Sequence, residues 1–135
     1  MAGYSGTTLA KKLGFKEGFR VGFVNPPRGF QQELGSLPGV RISIARLPKP
    51  LDLILFFADS QQVLKREFPK LARKLEQNGM VWIAWPKKAS GVATNLSENS
   101  VRKIGLEAGL VDVKVCAVND IWSALKFVFR LKDRK

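Results

Sequence analysis

Two short segments of this chain carry residues that could do chemistry. The first is Trp85-Pro86-Lys87-Lys88-Ala89-Ser90-Gly91, where two amines, a hydroxyl and a glycine amide follow an apolar run. Ammonium groups, a hydroxyl and an approachable backbone N–H are the donors an anion site needs. The second is Asn25-Pro26-Pro27-Arg28-Gly29-Phe30, which sets a carboxamide and a guanidinium on a turn stiffened by two prolines. Lys87, Lys88, Ser90, Gly91 and Arg28 are the candidate contacts to a small anionic ligand, with Asn25 at the pocket edge. The lysine segment is not a Walker loop, because the spaced glycines and the following helix are missing. A solvated lysine pair on a loop would account for the same residues with no ligand.

The rest of the chain narrows the chemistry by exclusion. It has no histidine, so the usual general base near neutral pH is lacking and Ser–His or Cys–His pairs cannot form. One cysteine, Cys116, leaves no internal disulfide and suits a reducing compartment; at mid-strand it reads as a small buried residue, not a nucleophile. Zinc ligands are missing, and the 11 acidic residues are scattered, so no metal site is assigned. Asp59 follows a central strand, where catalytic acids often sit, but capping the next helix is its simpler role. No catalytic residue and no cofactor is expected. Lys and Arg number 23, for a net charge of +12 that favours nucleotides, phosphorylated metabolites or nucleic acid as partners. Nucleic acid or a protein partner would meet the dense basic stretch from Lys65 to Lys74, although no RNP, KH or zinc motif accompanies it. Solubility alone would explain the same charge.

These residues need elements to hold them. At 135 residues one domain, 1–135, is expected, with a core that needs no staples. Ser5-Gly6-Thr7-Thr8 precedes a short helix that stops at Gly14. Arg20–Asn25 alternates as a strand and ends at Pro26. Gln31–Leu37 allows one or two helical turns, and Val40–Leu47 a second strand. Leu51–Ala58 is almost continuously apolar, as in a strand covered on both faces. Asp59 or Ser60 then caps the longest helix, expected to run to Asn78 with Gly79 as its stop. Leu64, Phe68, Leu71 and Leu75 form its inner stripe, and Pro69 should kink or split it. Met80–Trp85 is a strand with Trp82 and Trp85 on opposite faces. Asn95 and Glu98 have capping-box spacing before a helix ended by Gly109, with Val101, Ile104 and Ala108 inward. Asp112–Val118 and Ala124–Leu131 are strands joined by a connection short enough for a hairpin, with Trp122 under it. No apolar run is long enough to span a membrane, and the start lacks the continuous apolar stretch of a secretory signal.

Alternation of strands and helices predicts a three-layer α/β sheet of about six strands, parallel except for the last, which inserts antiparallel beside Asp112–Val118. Residues 79–131 resemble the closing half of a class I methyltransferase sheet. That resemblance implies a Rossmann-like domain, with loops Asn25–Phe30, Ala58–Gln61 and Trp85–Gly91 meeting at the ligand face. It also implies S-adenosylmethionine as cofactor, held by a glycine-rich turn after the first strand and an acid after the second. Here the first strand runs into Asn25-Pro26-Pro27, and Arg46 stands where the acid would be. The Asn-Pro-Pro triplet is similar to the motif of amino-methyltransferases, but that motif follows the fourth strand and ends in an aromatic, whereas this one follows the first and ends in Arg28. Methyl transfer is therefore a second alternative to ligand binding without catalysis. Separately, MAGYSGTTLAKKLG, WPKKASGVATNL and GLVDVKVCAVNDIWSALKFVFRLKDR resemble an uncharacterised bacterial family known only as a domain of unknown function. That resemblance implies a small cytoplasmic bacterial protein and carries no activity.

Overall fold

A computed structural model describes residues 8–134. The first candidate-helix residues, Ser5 to Thr7, lie outside the described residues. Thr8 caps α1, Leu9–Leu13, by accepting from the Lys11 N–H, and Gly14 closes it in the left-handed region. The chain continues through β1 (Arg20–Val24), α2 (Phe30–Leu34), β2 (Arg41–Ser43) and β3 (Leu51–Phe57). Then come α3 (Gln61–Ala72), β4 (Leu75–Pro86), α4 (Glu98–Glu107), β5 (Leu110–Ala117) and β6 (Trp122–Phe129). The six strands form one sheet in the order β2-β1-β3-β4-β6-β5. The first four are mutually parallel, and β6 inserts antiparallel between β4 and β5. The expected mixed sheet with its reversed last strand is thus observed.

Both faces of the sheet are buried, which is why β3 and the end of β4 are apolar without alternation. On one face Ile54, Phe56, Ile83 and Phe127 pack under Leu64, Phe68 and Leu71 of α3 and Val101 and Ile104 of α4. On the other, Phe23, Leu55, Phe57 and Trp82 pack under Leu13 of α1 and Phe30 of α2. Trp82 and Trp85 do face opposite ways, one into each layer.

Several boundaries differ from the sequence expectation. The longest helix stops at Ala72 instead of Asn78. It runs through Pro69 and ends one turn later; the Lys74 carbonyl then accepts the Leu51 N–H at 2.7 Å and joins the sheet. Leu75 is buried as expected, but from β4. Between Leu75 and Met80, β4 advances five positions while β3 advances two, so Glu76–Gly79 bulges out. The bulge is held by Arg20, whose guanidinium binds Asp52 at 3.1 Å and Glu76 at 2.9 Å. A Cβ on Gly79 would stand 3.0 Å from the Asp52 carbonyl, so the close approach needs glycine there. The second strand is only Arg41–Ser43, because the chain then turns to lay Leu47 over Gly22. Ser60, not Asp59, caps α3 by accepting from Val63 N–H. Ser97 and Ser100 form the capping box of α4 in place of Asn95 and Glu98. Asn95 instead accepts the Gln61 N–H at 2.8 Å, tying two loops together.

Candidate functional site

Strand order reverses between β1 and β3, so the crevice at their carboxyl ends is where an open α/β sheet ordinarily takes a ligand. In this chain aromatic rings fill it. Asn25 turns the chain with φ +54, a left-handed conformation that asparagine tolerates. Pro26 and Pro27 follow, and the Phe30 N–H donates to the Pro27 carbonyl at 3.0 Å. This tight turn drops the Phe30 ring between the two strand ends. It meets Phe23 of β1 edge-on at 5.6 Å and Phe57 of β3 at 4.8 Å. Trp122 extends the row, 5.0 Å from Phe57. Phe30 and Phe57 are only 2% and 3% exposed. At the end of β2 stand Ile44, Ala45 and Arg46, all exposed and none an acid.

The lysine loop lies further along the sheet, at the carboxyl end of β4. Lys87 and Lys88 line a cavity of about 460 Å³ together with Trp85, Leu96, Ser97 and Ser123. The loop is fixed at both ends. The Lys87 N–H donates to the Ile121 carbonyl at 2.6 Å, and the Thr94 hydroxyl donates to the Asp59 carbonyl at 2.7 Å. Ser97 and Glu98 bring the amino end of α4 into the lining, where the helix dipole is positive. Glu98 is the one carboxylate there, and Arg102 engages it at 2.7 Å. That hydrogen bond, with a second donated to Asp112, raises the Arg102 guanidinium above its ordinary value. Among the described residues neither Lys87 nor Lys88 makes an ion pair.

The structure therefore separates the expected contacts. Lys87 and Lys88 share a cavity. Ser90 and Gly91 shape the loop: the Ser90 hydroxyl donates to the Lys87 carbonyl at 2.6 Å and accepts the Val92 N–H, and Gly91 ends a 3-10 turn at φ +78. Asn25 and Arg28 are exposed on the β1 turn and do not line this cavity. Of the three loops expected to meet, Ala58–Gln61 is bonded to Thr94 and Asn95, beyond the Trp85–Gly91 loop, while Asn25–Phe30 folds onto the aromatic row. Thr94, Ser97 and Ser123 were not anticipated as lining residues. The Ser97-to-Ser100 spacing was a usable signal, but Ser123 is placed by its pairing with Trp85, which no local pattern encodes. Cys116 is half-buried, and burial pushes its thiol up, opposite to an activated nucleophile. On α3, Arg66 and Lys70 both approach Glu67, at 3.0 and 3.6 Å, so part of the basic stretch is internally paired.

No family model matches the chain, and no curated protein matches it. Solved structures do. A methyltransferase dependent on S-adenosylmethionine from Aquifex aeolicus superposes with a TM-score of 0.62 at 17% identity, over 88% of this chain and 86% of that one. A TehB-like methyltransferase from Corynebacterium glutamicum gives 0.56 at 10% identity, over 90% and 85%. The mitomycin 7-O-methyltransferase MmcR gives 0.64 at 10% identity, with this chain spanning 49% of its length. At such identities the likeness establishes the fold alone: a Rossmann-like domain of the methyltransferase type. The cofactor those enzymes use does not suit the residues found here. Its crevice is occupied by Phe30, its first turn is deprived of two backbone donors by Pro26 and Pro27, and no acid follows β2, where Ile44, Ala45 and Arg46 stand. Among the described residues no group of acids and cysteine could hold a metal, and no helix is long and apolar enough to cross a membrane.

Proposed function

We propose that this chain binds a small anionic ligand, a nucleotide or phosphorylated metabolite, in the cavity beneath Lys87 and Lys88, without transforming it. The observation that carries this reading is the pair of ammonium groups with no acidic partner at a cavity that also receives the amino end of α4. The only carboxylate in the lining is engaged by Arg102, which leaves the local field positive. Thermal-shift measurement against nucleotides and phosphorylated sugars tests this reading. A ligand at 100 times its dissociation constant should stabilise the chain by about 2.7 kcal/mol. Lys87→Ala/Lys88→Ala should abolish that shift. No shift with any anion, or a shift that survives the double substitution, rejects the site.

Methyl transfer is the second reading, favoured by the names of the solved neighbours. It requires S-adenosylmethionine to bind, which calorimetry decides directly. Nucleic-acid binding through Lys65 to Lys74 is separable by its salt dependence, with a slope of about −0.9 per phosphate contact.

A further inference from the structure

The face of the sheet opposite α3 and α4 is covered thinly, by the five-residue helices α1 and α2. Over β4, β6 and β5 it presents one row in register. Trp82 is paired with Lys126, and Lys126 with Lys114. Trp82 is fully buried, and its indole N–H donates to the Leu13 carbonyl at 2.8 Å, which docks α1 on this row. Docking brings Lys12 and Lys16, on either side of Leu13, to the same place. The Lys126 ammonium feels both Lys114 and Lys16, and the Cys116 thiol feels both Lys12 and Lys114.

Lys16 and Lys114 thus approach half-buried Lys126, and Lys12 joins Lys114 beside Cys116, two positions along the same strand from Lys114. Among the described residues none of the four makes an ion pair. Like charges directly opposite on neighbouring strands repel, and a half-buried amine has lost part of its hydration. Lysines that served solubility alone would gain nothing from this crowding. Along α3, by contrast, Glu67 is placed between Arg66 and Lys70. A row of ammonium groups with no counter-ion among the described residues can take one from solution.

We propose that Lys12, Lys16, Lys114 and Lys126 form a second anion site, separate from the Lys87–Lys88 cavity, for a compact oligophosphate group. Lysines bind phosphate as point charges, without the planar fork that would select a carboxylate. One phosphate carries about two negative charges, so four cations match a chain of phosphates better than a single one. The same chemistry is offered by the free di- or triphosphate of a nucleotide and by the closely spaced phosphates of a nucleic-acid backbone.

The test is calorimetric titration of the chain with sodium tripolyphosphate at low salt, and in parallel with a single-stranded oligonucleotide. Three proteins are compared: the parent, Lys114→Gln/Lys126→Gln and Lys87→Ala/Lys88→Ala. Tripolyphosphate should bind this face of the parent and of the Lys87/Lys88 variant alike, any binding at the Lys87–Lys88 cavity being lost in that variant. The Lys114/Lys126 variant should bind about a hundredfold more weakly, about tenfold for each charge-assisted hydrogen bond lost. Should that variant fail to fold, Lys12→Gln/Lys16→Gln on α1 should show the same loss. An oligonucleotide that binds and is displaced by tripolyphosphate identifies a nucleic-acid backbone as the source; tripolyphosphate binding alone identifies a free oligophosphate. No binding to the parent at about 1 mM, undiminished affinity in both lysine variants of this face, or a loss confined to Lys87→Ala/Lys88→Ala would overturn the proposal. The last outcome leaves the Lys87–Lys88 site standing, so the two sites fail separately.

Discussion

Adding S-adenosylmethionine to this protein should produce no measurable binding heat at concentrations up to about 1 mM. The expectation follows from two terms. The ribose of that cofactor needs an acceptor for its hydroxyls, and Arg46 offers donors only. Losing two such hydrogen bonds costs about 1.5–3 kcal/mol each. The Phe30 ring must also leave the crevice between β1 and β3, where it is 2% exposed. Returning that side chain to water costs about 1.5–3 kcal/mol. The sum, about 4.5–9 kcal/mol, weakens a micromolar site at least about a thousandfold, since each 1.4 kcal/mol is about a factor of ten. Phe30→Ala separates the two terms. It removes the plug at a cost of about 3–5 kcal/mol in stability, which a small domain with about 5–15 kcal/mol can bear. It leaves the ribose term in place, so this variant should still bind more weakly than about 100 µM. Isothermal titration with the cofactor and with its demethylated product is the assay. Micromolar binding by the parent, or a complex with the cofactor lying across the Asn25–Gly29 turn, would refute the reasoning.

Gly105 lies inside α4 against Phe127, and a Cβ there would overlap the Phe127 ring, itself fully buried and edge-on to Phe68 at 5.2 Å. Alanine would gain about 1 kcal/mol of helix propensity, but overpacking costs about 1–3 kcal/mol, so Gly105→Ala should lower the urea midpoint; a midpoint at or above the parent's would contradict this packing. Asp52 is pushed up by burial, but hydrogen bonds from the Arg20 side chain and backbone outweigh this and hold its carboxyl below the ordinary value. A carboxyl depressed in the folded state stabilises above its unfolded value, about 4, and that contribution disappears as pH falls through the lowered value. The unfolding temperature should therefore be insensitive to this pair near neutrality and decline on acidification below about pH 4, less steeply in Asp52→Asn; identical acid limbs in scanning calorimetry would remove the pair from the account.

The parts of the fold legible in the sequence were those fixed by local pattern. The apolar run of Leu51–Phe57, interrupted only by Asp52, announces a strand covered on both faces, and the short link after Val118 forces β6 to run antiparallel to β5. The odd spacing of Trp82 and Trp85 separates them into two core layers. What stayed hidden depends on partners remote in the chain. Helical periodicity carries through Leu75, and nothing local says that Lys74 will bond to Leu51 or that Arg20 will hold Glu76 across 56 positions and bend the chain into a strand. The Lys87–Lys88 loop was legible as a candidate because its donors are consecutive. The lysines around Lys126 were not, because Lys16, Lys114 and Lys126 meet only once register and the docking of α1 are known.

The two strand ends that matter for function have been treated in opposite ways. At the reversal of strand order, the frame offers the ordinary ligand crevice, and the chain closes it with an interlocked aromatic row from Phe23 to Trp122. One strand further along, Trp85, Val92 and Leu96 line a cavity and do not close it. The chain leaves two amines at the mouth of that cavity and engages the nearby Glu98 with Arg102. Stability argues for the first arrangement, since a buried row of edge-on rings strengthens the core. It does not argue for the second, because unpaired ammonium groups beside the positive end of a helix add repulsion to a chain already at +12. An arrangement unfavourable to the empty protein becomes favourable once an anion is present. The ligand site proposed above therefore rests on the lysines, away from the crevice that the shared fold would suggest.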